Sequence, residues 1–160
     1  MIIREARERD ADGMCAVLNE IVEIGGTTAH EDPLDAEEMV ETYISKKRVM
    51  FCHVAEDVAG RIAGFQVMVK TDSIPEGHGS IGSFARQSDP VKGVGRAMFA
   101  VTVEAARAAG LEAILAIIRA DNVPGLGYYD AMGFTDHDVR RAVPLKDGTP
   151  MDRVVKIYPL

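Results

Sequence analysis

The chain has 160 residues and a mass of 17.3 kDa, which is enough to bury one hydrophobic core. Its composition, 47% hydrophobic and 27% charged, is ordinary for a globular protein. The formal net charge of −7 argues against binding nucleic acid through a broad basic face, because such binding depends on neutralising phosphates. We therefore expect one domain over residues 1–160 and no nucleic-acid partner.

Targeting and cysteine signals are weak in this sequence. The N-terminal MIIREARERDAD lacks the apolar stretch of a signal peptide, and no apolar run reaches transmembrane length. Cys15 and Cys52 fit no CxxC spacing, so we expect buried, reduced thiols. No cluster of His, Cys and Asp has metal-ligand spacing, and we predict no metal. These features predict a cytoplasmic protein without a membrane partner.

The first part of the chain predicts a strand and two helices. Residues 2–6 read as a short strand, and Asp10 begins a helix with apolar residues at i, i+3 and i+4 spacing. Asp35, with Glu38 three residues later, resembles a capping box. We expect it to begin a second helix that extends to about Lys47.

The rest of the chain alternates strands and helices. The segments RVMFCHVAED and RIAGFQVMVK predict an antiparallel hairpin, and SIGSFAR predicts another strand. DPVKGVGRAMFAVTVEAARAAG is helical in pattern, and EAILAIIR is typical of a strand covered on both faces. NVPGLGYYDAMGF allows a short helix with Pro124 in its first turn, and two strands around KDGTP close the chain. This order predicts a mixed α/β fold with one central sheet.

The glycine pair at the start of the central helix allows more than one interpretation. Gly93 and Gly95 could simply permit tight packing of strand on helix. A dinucleotide fingerprint fails because Met98 occupies the third glycine position, and no Walker loop occurs. A third interpretation is an anion site, since first-turn N–H groups lack intrahelical acceptors and Lys92 and Arg96 add positive charge. That site would suit a pyrophosphate.

Two motifs together resemble the GNAT family of N-acetyltransferases. VKGVGRAM is similar to the acetyl-CoA pyrophosphate loop of that family, usually (Q/R)-x-x-G-x-(G/A). Asn122, Tyr129, Gly133 and Phe134 match the family's closing motif without a gap. The resemblance covers essentially the whole chain. It implies one mostly antiparallel mixed sheet flanked by helices, and direct transfer of an acetyl group from acetyl-CoA to an amine.

The two ends of the chain resemble one subgroup, the phosphinothricin acetyltransferases. The resembling segments are VLNEIVEIGGTTAHEDPLDAEEM and VPLKDGTPMDRVVKIY. This resemblance implies a small amino-acid-like acceptor and a homodimer. Two residues depart from the pattern. Pro90 replaces the usual Gln or Arg and donates no hydrogen bond, so the pyrophosphate would rely more on Lys92 and Arg96. Ser80 stands where the subgroup carries an acidic residue.

The resemblance also implies roles for particular residues. Tyr129 is expected to protonate the leaving thiolate, or else only to pack on the cofactor. The base is expected to be Glu76 or His78, in the loop before the cofactor strand. His30 and Glu31 are expected to contact the acceptor, in an acidic loop that would attract a cationic amine. The expected cofactor-binding residues are Phe84, Ala85, Arg86, Lys92, Gly93, Val94, Gly95, Arg96, Ala97, Asn122 and Tyr129.

Several alternatives stay open from the sequence. Asn122 could be a plain helix N-cap, and Tyr128 is expected to point away from the site into the core. The acceptor could be a protein N-terminus or a lysine in an open peptide groove. The chain could also be a non-catalytic acyl-CoA-binding module that has lost its base.

Overall fold

Seven strands form one mixed sheet in the order β1-β2-β3-β4-β5-β7-β6, in a computed structural model that describes residues 1–45 and 47–160. Strands β4 and β5 run parallel, and the other neighbours in this order pair antiparallel. The predicted mixed, mostly antiparallel sheet is confirmed. The strands are β1 Ile2–Glu5, β2 Val49–Glu56, β3 Ile62–Val69, β4 His78–Ala85, β5 Ala113–Arg119, β6 Thr135–Pro144 and β7 Pro150–Pro159.

Helices cover both faces of the sheet, and successive residues of β3 show which helices lie on which side. Phe65 and Val67 pack in one cluster with α1, whereas Met68 packs in another with α3 and α4. This alternation is the two-residue period of a strand buried on both faces. The helices are α1 Ala11–Ile24, α2 Ala36–Met39, α3 Val94–Ala108 and α4 Val123–Met132. None of the helices in the described part of the chain could span a membrane.

Helix α2 begins at the predicted capping box. The Glu38 N–H donates to the Asp35 carboxylate at 2.8 Å, and the Asp35 N–H donates to the Glu38 carboxylate at 2.8 Å. The chain then continues as a π-helical segment, Val40–Ile44, and the helical turns end there. The expected end at about Lys47 is therefore too late, and Lys46 lies outside the described residues.

The parallel strands β4 and β5 pair over only part of their length. Their register ends at Ile81 and Ala116, although β4 continues to Ala85 and β5 continues to Arg119. Beyond that point β4 keeps β3 as its partner, and β5 keeps β7. The two strands therefore diverge and leave a gap inside the sheet.

Helix α4 is fastened beside this gap by its C-terminus and by a buried lysine. Gly133 ends the helix with φ 99°, a left-handed conformation that favours glycine. Lys156 of β7 is 4% exposed, and its ammonium donates to Asp130 at 2.6 Å and also to Asp136. These contacts fix the orientation of α4 on the sheet.

We expect Gly133→Ala to lower the free energy of unfolding by about 1–2 kcal/mol, because an L-residue is strained at this φ. The added Cβ would also lie 3.3 Å from the Tyr158 ring. Gly127→Ala, inside α4, is the matched control. Its Cβ would meet no described atom within 4 Å, so it should raise the free energy by about 0.5–1 kcal/mol. Urea unfolding measures both, and equal effects would contradict this account.

Candidate active site

A cleft of about 520 Å³ lies where β4 and β5 diverge. His30 and Tyr43 line it on the face covered by α1, and Tyr128 and Tyr129 line it on the face covered by α3 and α4. The gap in the sheet joins the two sides. The cleft therefore has walls on both faces of the sheet.

The backbone of β4 presents alternate residues to the gap. The Arg86 N–H donates to the Ala63 carbonyl of β3 at 2.9 Å. Because N–H directions alternate along an antiparallel strand, the Phe84 N–H also faces β3. The N–H groups of Ser83 and Ala85 therefore point toward β5, in the stretch where β5 no longer pairs with β4.

This alternation distinguishes Phe84, Ala85 and Arg86, whose expected backbone contacts with the cofactor stay a prediction. Ala85 does present its backbone to the gap. Phe84 lines the cleft with its ring, which stacks on Phe65 at 4.7 Å between centroids. The Arg86 guanidinium donates to the Ile62 carbonyl at 2.8 Å, so its side chain is held on β3.

The start of α3 has the features of an anion site. The Ala97 N–H donates to the Gly93 carbonyl at 3.0 Å. The N–H groups of Gly95 and Arg96 have no backbone acceptor among the described residues. The side chains of Lys92 and Arg96 are exposed, and neither forms an ion pair with a described carboxylate. Val94, the first residue of α3, is buried in the core.

Gly93 and Gly95 are each required for a different structural reason. Gly93 has φ 79°, and a Cβ there would meet no described atom within 4 Å. At Gly95 a Cβ would lie 2.7 Å from the Tyr128 ring. The packing interpretation therefore accounts for Gly95, whereas the space around Gly93 stays open to a ligand.

A chain of side-chain hydrogen bonds links α4 to β3, β4 and α3. The Tyr129 hydroxyl donates to Ser83 Oγ at 2.9 Å, and Gln66 Nε2 donates to Ser83 Oγ at 3.0 Å and to the Tyr128 hydroxyl at 2.9 Å. The Tyr128 hydroxyl donates to the Gly95 carbonyl at 2.8 Å. Burial raises the pKa of both tyrosines. The expected general acid, Tyr129, thus has a raised pKa and donates its hydroxyl proton to Ser83.

The expectation that Tyr128 points away from the site is wrong. Its ring packs against Gly95, and it lines the cleft together with Tyr129. The two tyrosine rings contact each other edge to face, with centroids 4.9 Å apart. The sequence shows only that adjacent helical residues differ in direction by about 100°, and α4 turns both rings toward the cleft.

His30 lies in the cleft, but Glu31 does not line it. The His30 ring packs on Tyr43 with centroids 5.5 Å apart. Burial lowers the pKa of His30, and the positive charge of Arg48 lowers it further, so the neutral imidazole is favoured. The Glu31 carboxylate instead accepts from the Lys146 N–H at 2.7 Å, on the turn between β6 and β7.

The structure also keeps Glu76 and His78 away from the cleft. Glu76 is exposed in the loop before β4, and the His78 ring hydrogen-bonds with the Glu76 carbonyl at 3.1 Å. His78 pairs with Ala113 at the start of both parallel strands, whereas the cleft lies toward their carboxyl ends. Neither residue lines the cleft, and the role of either as the base stays a prediction. Ser80, at the position of the subgroup's acidic residue, does line the cleft.

Asn122 caps α4 and ties it to the loop after α1. Its Oδ1 accepts from the Gly125 N–H at 2.9 Å, and its Nδ2 donates to the Thr27 carbonyl at 2.6 Å. Asn122 is thus the N-cap residue of α4. A contact between Asn122 and a cofactor stays a prediction.

Arginines supply the charge of the cleft. Arg48, Arg119 and Arg153 line it, whereas no Asp or Glu of the described chain does. The Arg119 guanidinium is bound by the Asp121 carboxylate at 2.8 Å and is 8% exposed. Arg153 lies directly opposite Arg119 on β7, and its Nε is buried without a described partner. No group of three or more metal-binding side chains occurs within residues 1–45 and 47–160.

The comparisons with known proteins decide the family. A family model described as an acetyltransferase (GNAT) domain matches residues 3–155. The chain belongs to the GNAT family. It is 28% identical over 137 residues to an L-methionine sulfoximine/L-methionine sulfone acetyltransferase of Pseudomonas paraeruginosa, covering 82% of this chain and 78% of that protein.

Solved structures share the fold of this GNAT chain at low identity. A ribosomal-protein-alanine N-acetyltransferase from Brucella melitensis has a TM-score of 0.87 at 22% identity, with all of both chains covered. A phosphinothricin acetyltransferase from Sinorhizobium meliloti, solved in complex with acetyl-CoA, has a TM-score of 0.83 at 22% identity and covers 99% of this chain and 88% of that one. The chain is therefore an N-acetyltransferase of this family.

We expect the pKa of the His30 imidazole to lie below the usual value of about 6.5. In the Arg48→Gln variant the pKa of His30 should be higher than in the wild type, because a positive charge near the ring is removed. NMR titration of the histidine ring protons measures this. Arg107→Gln, at the exposed end of α3, is the control and should leave His30 unchanged. A His30 pKa that does not respond to Arg48→Gln would contradict the electrostatic account.

Proposed function

We propose that this GNAT enzyme acetylates the primary amine of a small acceptor that also carries an anionic group, as an amino acid does. The observation that carries this proposal is Arg153, whose buried Nε has no described partner and which lies across from Arg119 in the cleft. Arg119 is already paired with Asp121, so the Arg153 guanidinium, which faces no lining carboxylate, is the group that favours an anion here. A carboxylate on the acceptor would supply that anion.

The arginines that line the cleft favour an anionic group on the acceptor, whereas the sequence leads us to expect an acidic loop that attracts amines. Glu31 is engaged by the backbone of Lys146, and the carboxylate of Asp32 pairs with the Lys146 ammonium. The same contacts tie the loop after α1 to the turn between β6 and β7. A tied loop favours a closed pocket over an open groove for a protein N-terminus or a lysine side chain. The Pseudomonas relative is named for two amino-acid acceptors, L-methionine sulfoximine and L-methionine sulfone.

Acetyl-CoA fits the opposite face of the gap. The free N–H groups at the start of α3 and the exposed charges of Lys92 and Arg96 suit its pyrophosphate. The open space at Gly93 leaves room for that group, even though Pro90 cannot donate a hydrogen bond. The backbone N–H groups of Ser83 and Ala85 would line the pantetheine arm, in place of the three consecutive residues expected from the sequence.

The chemistry divides between the two sides of the sheet. Acetyl-CoA supplies an activated acetyl group as a thioester when it is bound. The Ala85 N–H faces the gap and can stabilise charge that develops on the carbonyl oxygen during attack by the amine. His30, largely neutral because of its lowered pKa, can accept the proton that the amine loses. We place the base there because Glu76 and His78 lie outside the cleft.

We also propose that the enzyme works in the cytoplasm as a homodimer and as one domain. The support is the sequence: two cysteines without disulfide spacing, and the resemblance to phosphinothricin acetyltransferases at both ends of the chain. In the structure Cys15 and Cys52 are free and buried, and burial raises the pKa of Cys52 to about 12. A protonated, enclosed thiol is unreactive.

The test is a panel of amines offered as matched pairs, each an α-amino acid and its α-carboxamide, with L-methionine sulfone and L-methionine sulfoximine included. We expect kcat/KM to be about tenfold or more higher for the free acids, because a paired carboxylate contact with arginine is worth about 1.5–3 kcal/mol. Release of free CoA thiol measures the rate.

Arg153→Gln should raise KM for the acids about tenfold and leave the carboxamides within about twofold. Arg141→Gln is the control, because Arg141 is exposed and pairs with Asp152 outside the cleft. A preference for carboxamides or for cationic polyamines would overturn the proposed acceptor class. Failure to bind acetyl-CoA would overturn the proposed site as a whole.

A further inference from the structure

We propose that the hydroxyl of Ser83 is the group that contacts the departing sulfur of CoA, and that Tyr129 acts only through it. This inference rests on the proposed function, because it assigns the leaving-group side of the same reaction. It makes Ser83 a catalytic residue and Tyr129 a positioning residue. The sequence motif alone points to Tyr129 as the group that contacts the sulfur, whereas the hydrogen-bond geometry points to Ser83 of β4.

The hydrogen bonds around Ser83 leave one donor free. Ser83 Oγ accepts from the Tyr129 hydroxyl at 2.9 Å and from Gln66 Nε2 at 3.0 Å. A serine hydroxyl has two acceptor lone pairs and one proton, so both lone pairs are used. The remaining Ser83 proton has no described acceptor, and Ser83 lines the cleft. It is therefore available to a ligand atom in the gap.

Burial separates the roles of Tyr129 and Ser83. Tyr129 is 6% exposed and is enclosed by the rings of Tyr128 and Phe134, with centroids at 4.9 and 5.0 Å. Ser83 is only half-buried and lies on the strand that borders the gap. The single proton of the Tyr129 hydroxyl is already donated to Ser83 Oγ. Reaching the sulfur directly would require Tyr129 to break that bond.

The acidity of Tyr129 supports the same division. Burial raises its pKa above the ordinary tyrosine value of about 10, whereas a thiol has a pKa of about 8.5. Transfer of the phenolic proton to a thiolate is therefore uphill, and it would leave a buried phenolate. A hydrogen bond from a hydroxyl that keeps its proton avoids both costs.

Gln66 holds the other side of Ser83. Its side chain is fully buried, and its Nε2 donates to Ser83 Oγ and to the Tyr128 hydroxyl. Tyr128 in turn donates to the Gly95 carbonyl in the first turn of α3. The orientation of Ser83 is thus connected to the loop proposed to bind the pyrophosphate.

The step balances without a proton from the protein. The amine nitrogen bonds to the carbonyl carbon while the C–S bond breaks, and His30 accepts the proton that the nitrogen loses. Ser83 Oγ–H donates a hydrogen bond to the sulfur, which takes the electron pair of the C–S bond. Tyr129 and Ser83 keep their protons throughout. Solvent protonates the sulfur on release and takes the proton from His30, so an amine and a thioester give an amide and a thiol.

The first test measures the bound thiol and needs no turnover. The affinities of CoA and desulfo-CoA, which lacks the thiol, are compared by calorimetry from below to above the thiol pKa of about 8.5. For the wild type, the ratio of the affinity for CoA to the affinity for desulfo-CoA should rise with pH, because the Ser83 hydroxyl binds the thiolate form of CoA more tightly than the thiol form. Ser83→Val should reduce the rise about tenfold, whereas Ser83→Thr, of the same shape with a hydroxyl, should keep it.

The second test uses turnover. Ser83→Val should lower kcat about tenfold to a hundredfold while KM for acetyl-CoA changes less than about threefold, and Ser83→Thr should restore kcat. Tyr129→Phe should lower kcat less than Ser83→Val does. The double variant should be no slower than Ser83→Val alone, because both changes act on one hydrogen bond. If the added bulk of Val or Thr at position 83 prevents folding, Ser83→Ala is measured in place of these two variants.

The outcomes distinguish the two proposals. Loss of the pH-dependent CoA ratio in Ser83→Val supports the inference even if no amine in the panel is acetylated, in which case only the proposed function fails. An unchanged ratio, or a larger kcat loss in Tyr129→Phe than in Ser83→Val, overturns the inference and leaves the acetyltransferase intact. A protein that binds no CoA contradicts both.

Discussion

The parting of β4 from β5 is the constraint on which the site depends. Two parallel strands that stay paired bury all their facing N–H and C=O groups, but here the pairing stops at Ile81 and Ala116. The N–H groups of Ser83 and Ala85 are then left inside the sheet without a strand partner. A sheet can keep such groups only beside a ligand or solvent. The divergence therefore leaves backbone N–H groups unpaired, and the gap that it opens is where a ligand can bind to them.

The divergence also explains why residues far apart in sequence form one site. β5 turns away from β4 but keeps its full register with β7, so Arg119 and Arg153 lie opposite each other in the lining of the cleft. The acidic chain, with a net charge of −7, therefore carries a local positive site. Lys146 holds Glu31 and Asp32 away from it. Local placement, and not net charge, sets the polarity of the cleft.

The sequence predicts those features that depend on neighbours along the chain. The capping box at Asp35, the strand hairpin and the start of α3 at the glycine loop follow from spacing and periodicity. The closing motif singles out Tyr129 and Asn122, and both line the cleft in the structure. These features need no knowledge of which strands are neighbours.

Features that depend on strand register or on the end of a strand could not be predicted. Glu76 precedes β4 and His78 is its first residue, but the cleft lies toward the other end of the strand. Ser83 is distinguished from Phe84 only by alternation, which becomes informative once the Arg86 bond to β3 is known. Arg153 matters because of its cross-strand partner, and Tyr128 because of its contact with Gly95. Each needs a tertiary neighbour that no local pattern specifies.

Amide hydrogen exchange by NMR, with and without saturating acetyl-CoA, tests the central claim that the gap in the sheet holds the cofactor. The account predicts that the amides of Ser83 and Ala85 exchange fast in the free protein and become protected on binding, while the Phe84 amide, bonded to β3, is protected in both states. Exchange at Ser83 and Ala85 that does not change when acetyl-CoA binds would contradict it.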